Sequence, residues 1–188
     1  SFNDTVGNAG TAVTSTSDET SVAIDNSAPT LSNVSIASDN TNTSKAKAND
    51  DVTLTFTASE AIGTPVVTFR SGGDAITDGS VVYSNTSGNT WTAVYTANAS
   101  DTDGAVTYSI AFSDTSGNAG TAVTSGSGSV TTDTTAPTLS NVSITSDNST
   151  STLAKANDDV TLIFTASEAI GTPVVTFRSG GDLITDGS

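Results

Sequence analysis

The chain repeats itself, and that repetition limits what it can fold into more than any other feature. The stretch AIDNSAPTLSNVSI, Ala23 to Ile36, returns as TTDTTAPTLSNVSI from Thr131 to Ile144. Pro29 and Pro137, Asp51 and Asp159, Arg70 and Arg178, and Ser80 and Ser188 each stand 108 positions apart (137 − 29 = 108). Asp4 and Asp114, like Gly10 and Gly120, are 110 apart (114 − 4 = 110), so the segment between differs by two residues (110 − 108 = 2). A period of this length is one small domain rather than a short solenoid unit. The organisation expected is therefore the end of one repeat over 1–26, a complete repeat over 27–132, and the beginning of a third over 133–188, as in a window on a longer array.

Strand signals run through each copy. In DVTLTFTA, Val52, Leu54 and Phe56 alternate with Thr53, Thr55 and Thr57, the period-two pattern of a half-buried strand. PVVTFR, TWTAVYTA and AVTYSIAF read the same way, separated by turn-forming SGGD, NTSGN, SDTDGA and SDTSGNAG. No segment carries an apolar period of 3.6, and Thr, Ser, Val and Gly stand where a helix favours Leu, Ala, Glu and Lys. One repeat then holds seven short strands: A (30–36), B (52–58), C (66–70), D near 81–84, E (90–97), F (105–112) and G (121–132). That count and spacing predict an all-β fold, an immunoglobulin-like β-sandwich repeated in tandem, with a core on Phe56, Phe69, Trp91, Tyr108 and Ile110.

Composition narrows the chemistry. Asp and Glu number 20 against 5 Lys and Arg, a net charge of −15 that repels nucleic acid and anionic membrane surfaces and favours cations. His, Cys and Met are absent, which removes disulfides, thiol and imidazole nucleophiles and soft-metal sites together. No apolar run approaches the roughly 18 residues of a membrane span, so no insertion is expected of this fragment. Neither a phosphate loop, a G-x-S-x-G nor a zinc pattern is present, and the chain does not read as an enzyme.

Four motifs in order, DNSAPTL before the first strand, FTASEAI closing the second, DTDGAVTYSI opening the sixth and SDTSGNAGT after it, resemble the bacterial Ig-like repeats of very long surface adhesins. The resemblance covers the whole chain. It implies extracellular extender domains, secreted or displayed on the cell surface, that project an adhesive tip, partner mainly with neighbouring repeats of their own chain, and bind calcium at the joints.

Calcium takes six to eight oxygens from carboxylates, carbonyls and water, and the chain is rich in these groups. In such a sandwich the B–C and F–G turns lie at the end where the chain comes in. Glu60, Asp114 and the linker residue Asp25 therefore share one end, with Asp4 the copy of Asp114 in the first partial repeat. Asp101 and Asp103 in the E–F turn face the opposite end, where Asp133 and Glu168 of the following joint are expected to join them as Ca2+ ligands. The bland alternatives are turn-capping for Asp25, Asp114 and Asp133 and solvated loop acids for Glu60 and Glu168, with Asp50, Asp51 and their copies Asp158 and Asp159 read as solvated. Asn118 reads as structural. Two other functions are carried beside the calcium-stiffened extender: a self-assembling filament in which strands pass between copies, and a carbohydrate- or ice-binding module using the Thr rows of strands B and E. A Lys-to-Asn isopeptide bond through Lys47 or Lys155 has little sequence support.

Overall fold

The computed structural model describes residues 1–76 and 79–184 and divides into two compact units, Ser1–Thr134 and Thr135–Ser188. The correspondence of Ser80 with Ser188 lies outside the described residues. Every regular element is a strand, and among the described residues no helix is long and apolar enough to cross a membrane.

The first unit is built from nine strands: β1 (Leu31–Ser38), β2 (Lys45–Ala46), β3 (Asp51–Ala58), β4 (Val66–Ser71), β5 (Asp74–Ala75), β6 (Val82–Ser87), β7 (Thr90–Thr96), β8 (Gly104–Ala111) and β9 (Thr131–Thr132). They form a four-stranded sheet in the order β1-β3-β7-β6 and a five-stranded sheet in the order β2-β9-β8-β4-β5. All pairs are antiparallel except β2 with β9. The period-two pattern becomes burial directly: Val52, Leu54, Phe56 and Ala58 of β3 point inward. Ala93 and Tyr95 of β7 join them, and from the other sheet come Val67, Phe69, Val106 and Ile110. The two inner faces thus share one core, a sandwich-like arrangement. Tyr95, tilted against Phe69 with centroids 4.8 Å apart, occupies the centre expected of Trp91 and Tyr108, which are only partly buried at its margin.

The last strand differs from expectation. Instead of a ladder over 121–132, only Thr131 and Thr132 pair as a strand, with Val123 and Ser127 making single bridges to Ile110 and Ser35. Two glycines explain this. A Cβ on Gly126 would stand 2.4 Å from the Val34 carbonyl oxygen, and one on Gly128, whose φ is +77°, 2.3 Å from that of Ile36. The chain crosses the edge of β1 too closely, and with too unusual a backbone, to continue a regular ladder.

The loop between β1 and β3 is closed by an acid that sequence pattern had placed in solvent. Asp50 is buried, and its Oδ2 accepts hydrogen bonds from Asn40 Nδ2 (2.6 Å) and the Lys47 amide (2.9 Å). Its Oδ1 meets Lys47 Nζ at 2.6 Å as an ion pair. The Asn40 amide first, then the Lys47 amide and ammonium, push the Asp50 carboxyl down to about 2. The second unit repeats this with Asn148, Lys155 and Asp158.

That second unit pairs β10 (Leu139–Ser146) with β11 (Val160–Ala166) and β12 (Arg178–Ser179) with β13 (Asp182–Leu183). The register of β10 with β11 is that of β1 with β3 moved by 108, with the same irregularity between Ser140 and Ser143 as between Ser32 and Ser35.

Two outcomes follow from these contacts. Gly128→Ala forces a Cβ onto the Ile36 carbonyl at positive φ, and urea unfolding should show a loss of about 2 kcal/mol or more. Asp50 titrates lower in the folded chain than in the unfolded one, so its contribution is present above the ordinary carboxylate pKa. It is lost as pH falls from about 4 through about 2; with the exposed Lys47 screening the pair, about 1–2 kcal/mol is at stake. In a urea-midpoint series across that window, Asp50→Ala should flatten the slope and wild type should keep it.

Candidate metal centre

Three acids meet where the chain comes into the first unit. The turn after β3 carries Glu60, and its position is set on both sides. Ser59 exchanges hydrogen bonds with Thr30, its amide donating to the Thr30 carbonyl (2.9 Å) and its Oγ accepting from the Thr30 amide (3.0 Å). Ile62 is buried two residues beyond Glu60 and bridges to Asp114, while the Gly63 amide donates to the Ser113 carbonyl. The Ser59–Thr30 pair ties the linker to this turn, and Pro29 is fully buried beside it.

The turn after β8 is folded by Asp114 itself. Its Oδ1 accepts from the amides of Ser116 (2.9 Å) and Asn118 (2.8 Å), and its Oδ2 from Asn118 Nδ2 (2.7 Å). Gly117, at φ +97°, supplies the left-handed residue this compact turn requires. Asp114 is buried, which is the largest single influence on its carboxyl and an upward one. The Asn118 side chain and the amides of Asn118, Gly117 and Ser116 together outweigh it and leave the pKa below its ordinary value. Asn118 Nδ2 also donates to the carbonyl oxygen of Asp25 at 3.1 Å, bringing the linker backbone against the same turn.

As a result, ligand oxygens of Asp25, Glu60 and Asp114 all lie within 4.8 Å of one another, the one such group of three or more acids among the described residues. Two oxygens on opposite sides of one calcium ion stand about 5 Å apart, twice a bond of 2.3–2.6 Å, so the spacing fits a shared ion of that size. The donor set is entirely oxygen, hard and threefold negative, as calcium or magnesium prefers and zinc does not. Without a cation each pair of carboxylates repels on the order of 1 kcal/mol even in a water-like dielectric.

The remaining candidates are placed differently. Asp101 lies in the turn between β7 and β8, where its Oδ2 accepts from the Asn98 amide (3.0 Å). Asp103, in the same turn, accepts from both the amide and the hydroxyl of Thr134. Asp133 is exposed, and its amide donates to the Ala46 carbonyl. Glu168 belongs to the second unit, just after Ser167, which exchanges hydrogen bonds with Thr138 as Ser59 does with Thr30. Asp4 sits in a turn that copies the Asp114 turn bond for bond, with Asn8 in the place of Asn118, and hydrogen bonds from Asn8 hold its carboxyl below the ordinary range.

Two residues that organise the centre carried no ligand signal. Asn118 bridges a turn to the linker, and Ser59 pins that linker to the other turn; their only mark in the sequence is recurrence, as Asn8 and as Ser167. No protein-family model, curated protein or solved structure matches the chain.

Asn118→Ala removes one donor from Asp114 and from the Asp25 carbonyl and should lower the melting free energy by about 1 kcal/mol in chelator. Asn118→Asp presents acceptors to acceptors and a fourth negative charge, so its melt, run beside the first, should fall further.

Proposed function

We propose that the chain is a run of Ig-like extender repeats from a bacterial surface adhesin or extracellular fibre, with calcium bound by Asp25, Glu60 and Asp114 where one repeat follows another. The observation that carries this is the convergence of three carboxylates from a linker and two separate turns. The strand orders support the Ig-like part: they correspond to A-B-E-D and A′-G-F-C-C′ of an immunoglobulin-like sandwich, with β2 and β5 as the added A′ and C′. The parallel pairing of β2 with β9 puts the outgoing chain at the end opposite the incoming one, the connectivity a linear string requires.

In this reading the carboxylates repel while the site is empty of charge and close on the ion when it binds, holding the linker at Asp25 against both turns. At the 10⁻⁴–10⁻³ M affinities usual for extracellular modules, a tenfold excess of calcium adds about 1.4 kcal/mol per site, small beside a fold and large beside a flexible link. Asp133 and Glu168 are the copies of Asp25 and Glu60 one period on.

The binding-face reading loses support at a particular residue. Thr55 and Thr57 do lie beside Thr92 and Thr90 in register, as a Thr-lined binding face would need. The copy of Thr55, however, is the exposed Ile163, so the row is not kept from repeat to repeat.

Calcium titration of the chain by calorimetry, with melting in calcium and in chelator, tests the assignment. Binding with a higher melting temperature, both abolished in Asp114→Ala and weakened in Glu60→Gln, is the expected result. No heat and superimposable melts would remove calcium from the account.

A further inference from the structure

The opening strands of the first unit and its outgoing segment run side by side in the same direction, bonded in two places. The segment meets β1 first. There the Ser127 amide donates to the Val34 carbonyl (2.8 Å) and the Ile36 amide to the Ser127 carbonyl (3.0 Å), a parallel bridge at Ser35. It then lies along β2, where the Thr131 amide donates to the Ser44 carbonyl (3.0 Å) and the Asp133 amide to the Ala46 carbonyl (2.9 Å). Because β1 belongs to the four-stranded sheet and β2 to the five-stranded one, a single segment is tied to the opening strands of both. Gly126 and Gly128 allow the close approach, since a Cβ on either would stand within 2.4 Å of a β1 carbonyl oxygen.

Side chains hold the same segment against sliding. Between the two sets of bonds Val130 is 1% exposed, and its carbonyl accepts from the Val106 amide of β8 at 2.8 Å. Thr132 is buried as deeply, and its hydroxyl donates to the Gly104 carbonyl at 3.0 Å. Just ahead of β1, Pro29 is fully buried. Drawing the segment along its own axis therefore means extracting Val130 and Thr132 from the core as well as parting backbone bonds.

Direction decides what such bonds resist. With the strands parallel, the chain comes in at one end and goes out at the other, so tension between Thr30 and Asp133 acts along the strands and slides one past the other. The bonds across the boundary are then strained together, and none gives way alone. Tension across the strands peels them apart instead, and the bonds fail in turn. Resistance to force follows the unfolding barrier rather than equilibrium stability, so what matters is which bonds must break together at that barrier.

We propose that the first unit is a tension-bearing module whose mechanical resistance is set by the parallel contact of β1 and β2 with residues 127–133. The contact consists of backbone amides, carbonyls and buried side chains, and it needs no ion.

Single-molecule force measurements on the whole chain in chelator test this. The chain has no cysteine of its own, so handles attach only where one is introduced. One tether, Ser27→Cys with Ala136→Cys, pulls along the strands. The other, Ala37→Cys with Ser129→Cys, pulls across them from exposed positions between the two sets of bonds. At equal force, unfolding of the first unit should be about tenfold or more slower along the strands than across them. Asp133→Pro removes the amide bonded to Ala46 and suits the extended Thr132 before it. Under lengthwise tension it should unfold roughly fivefold faster, while Asp133→Ala, which keeps the amide, should match wild type. Equal rates along the two axes overturn the proposal, as does a folded Asp133→Pro that withstands lengthwise tension like wild type. If Asp133→Pro does not fold, the comparison of axes decides, since both tethers leave every bond of the contact in place. Every arm runs without calcium, so a failed metal assignment leaves these results standing.

Discussion

Burial of two facing apolar surfaces governs everything else in the first unit. Val52, Leu54 and Phe56 from one sheet and Phe69 and Ile110 from the other are withdrawn from water together, and Tyr95 fills the space between. Each such side chain contributes on the order of 2 kcal/mol when fully buried, so the two sheets have one alignment that is clearly best. The turns inherit their positions from that alignment. Ile62 and Phe112 are both in the core, and the acids they flank, Glu60 and Asp114, are carried to the same end as a consequence. A molecule of net charge −15 has every electrostatic reason to keep three carboxylates apart. Hydrophobic packing, with help from Asn118 and Ser59, overrides that preference and holds the ligand oxygens of three acids within 4.8 Å of one another.

Hydrogen bonding to short polar side chains finishes what packing starts. Asp50, Asp103 and Asp114 each gather amides or hydroxyls from a neighbouring stretch, closing one loop, one outgoing chain and one turn. With no cysteine the chain has no disulfides, and these carboxylates serve as its fasteners. Most are ordinary surface groups until the fold brings a donor to them. The two ends of the unit differ accordingly: at one the acids face one another, and at the other an acid faces donors.

The strands were legible because period-two alternation of Val, Leu and Phe with Thr translates directly into one face in and one face out. β1, β3, β4, β7 and β8 fall within a residue or two of their expected bounds. β9 did not, since a pattern of Ser and Gly says nothing about a neighbouring carbonyl 2.3 Å from where a Cβ would be. Asp50 was misread as solvated because Asn40, ten residues earlier, is what draws it in. Trp91 alternates with Ala93 and Tyr95 as an inward residue of β7, but its place at the start of the strand leaves it at the margin, and Tyr95 lies deeper.

The two units separate these contributions cleanly. β10 and β11 pair in the register of β1 and β3, and the Asp4 turn matches the Asp114 turn, so hairpin register and Asx turns are properties of the local sequence. Burial is not: Ile144 is 59% exposed where its copy Ile36 is 5%, and Val160 is 43% exposed where Val52 is wholly covered. Nearly identical segments differ because covering an apolar face takes a second sheet, which no strand encodes for itself. Sequence alone determined the repeat, the strand alternation and the supply of acids. Only the tertiary structure decided that Asp25, Glu60 and Asp114 converge and that Asp103 meets Thr134, because those meetings join residues from 31 to 89 positions apart (134 − 103 = 31; 114 − 25 = 89) whose distance depends on how two sheets pack.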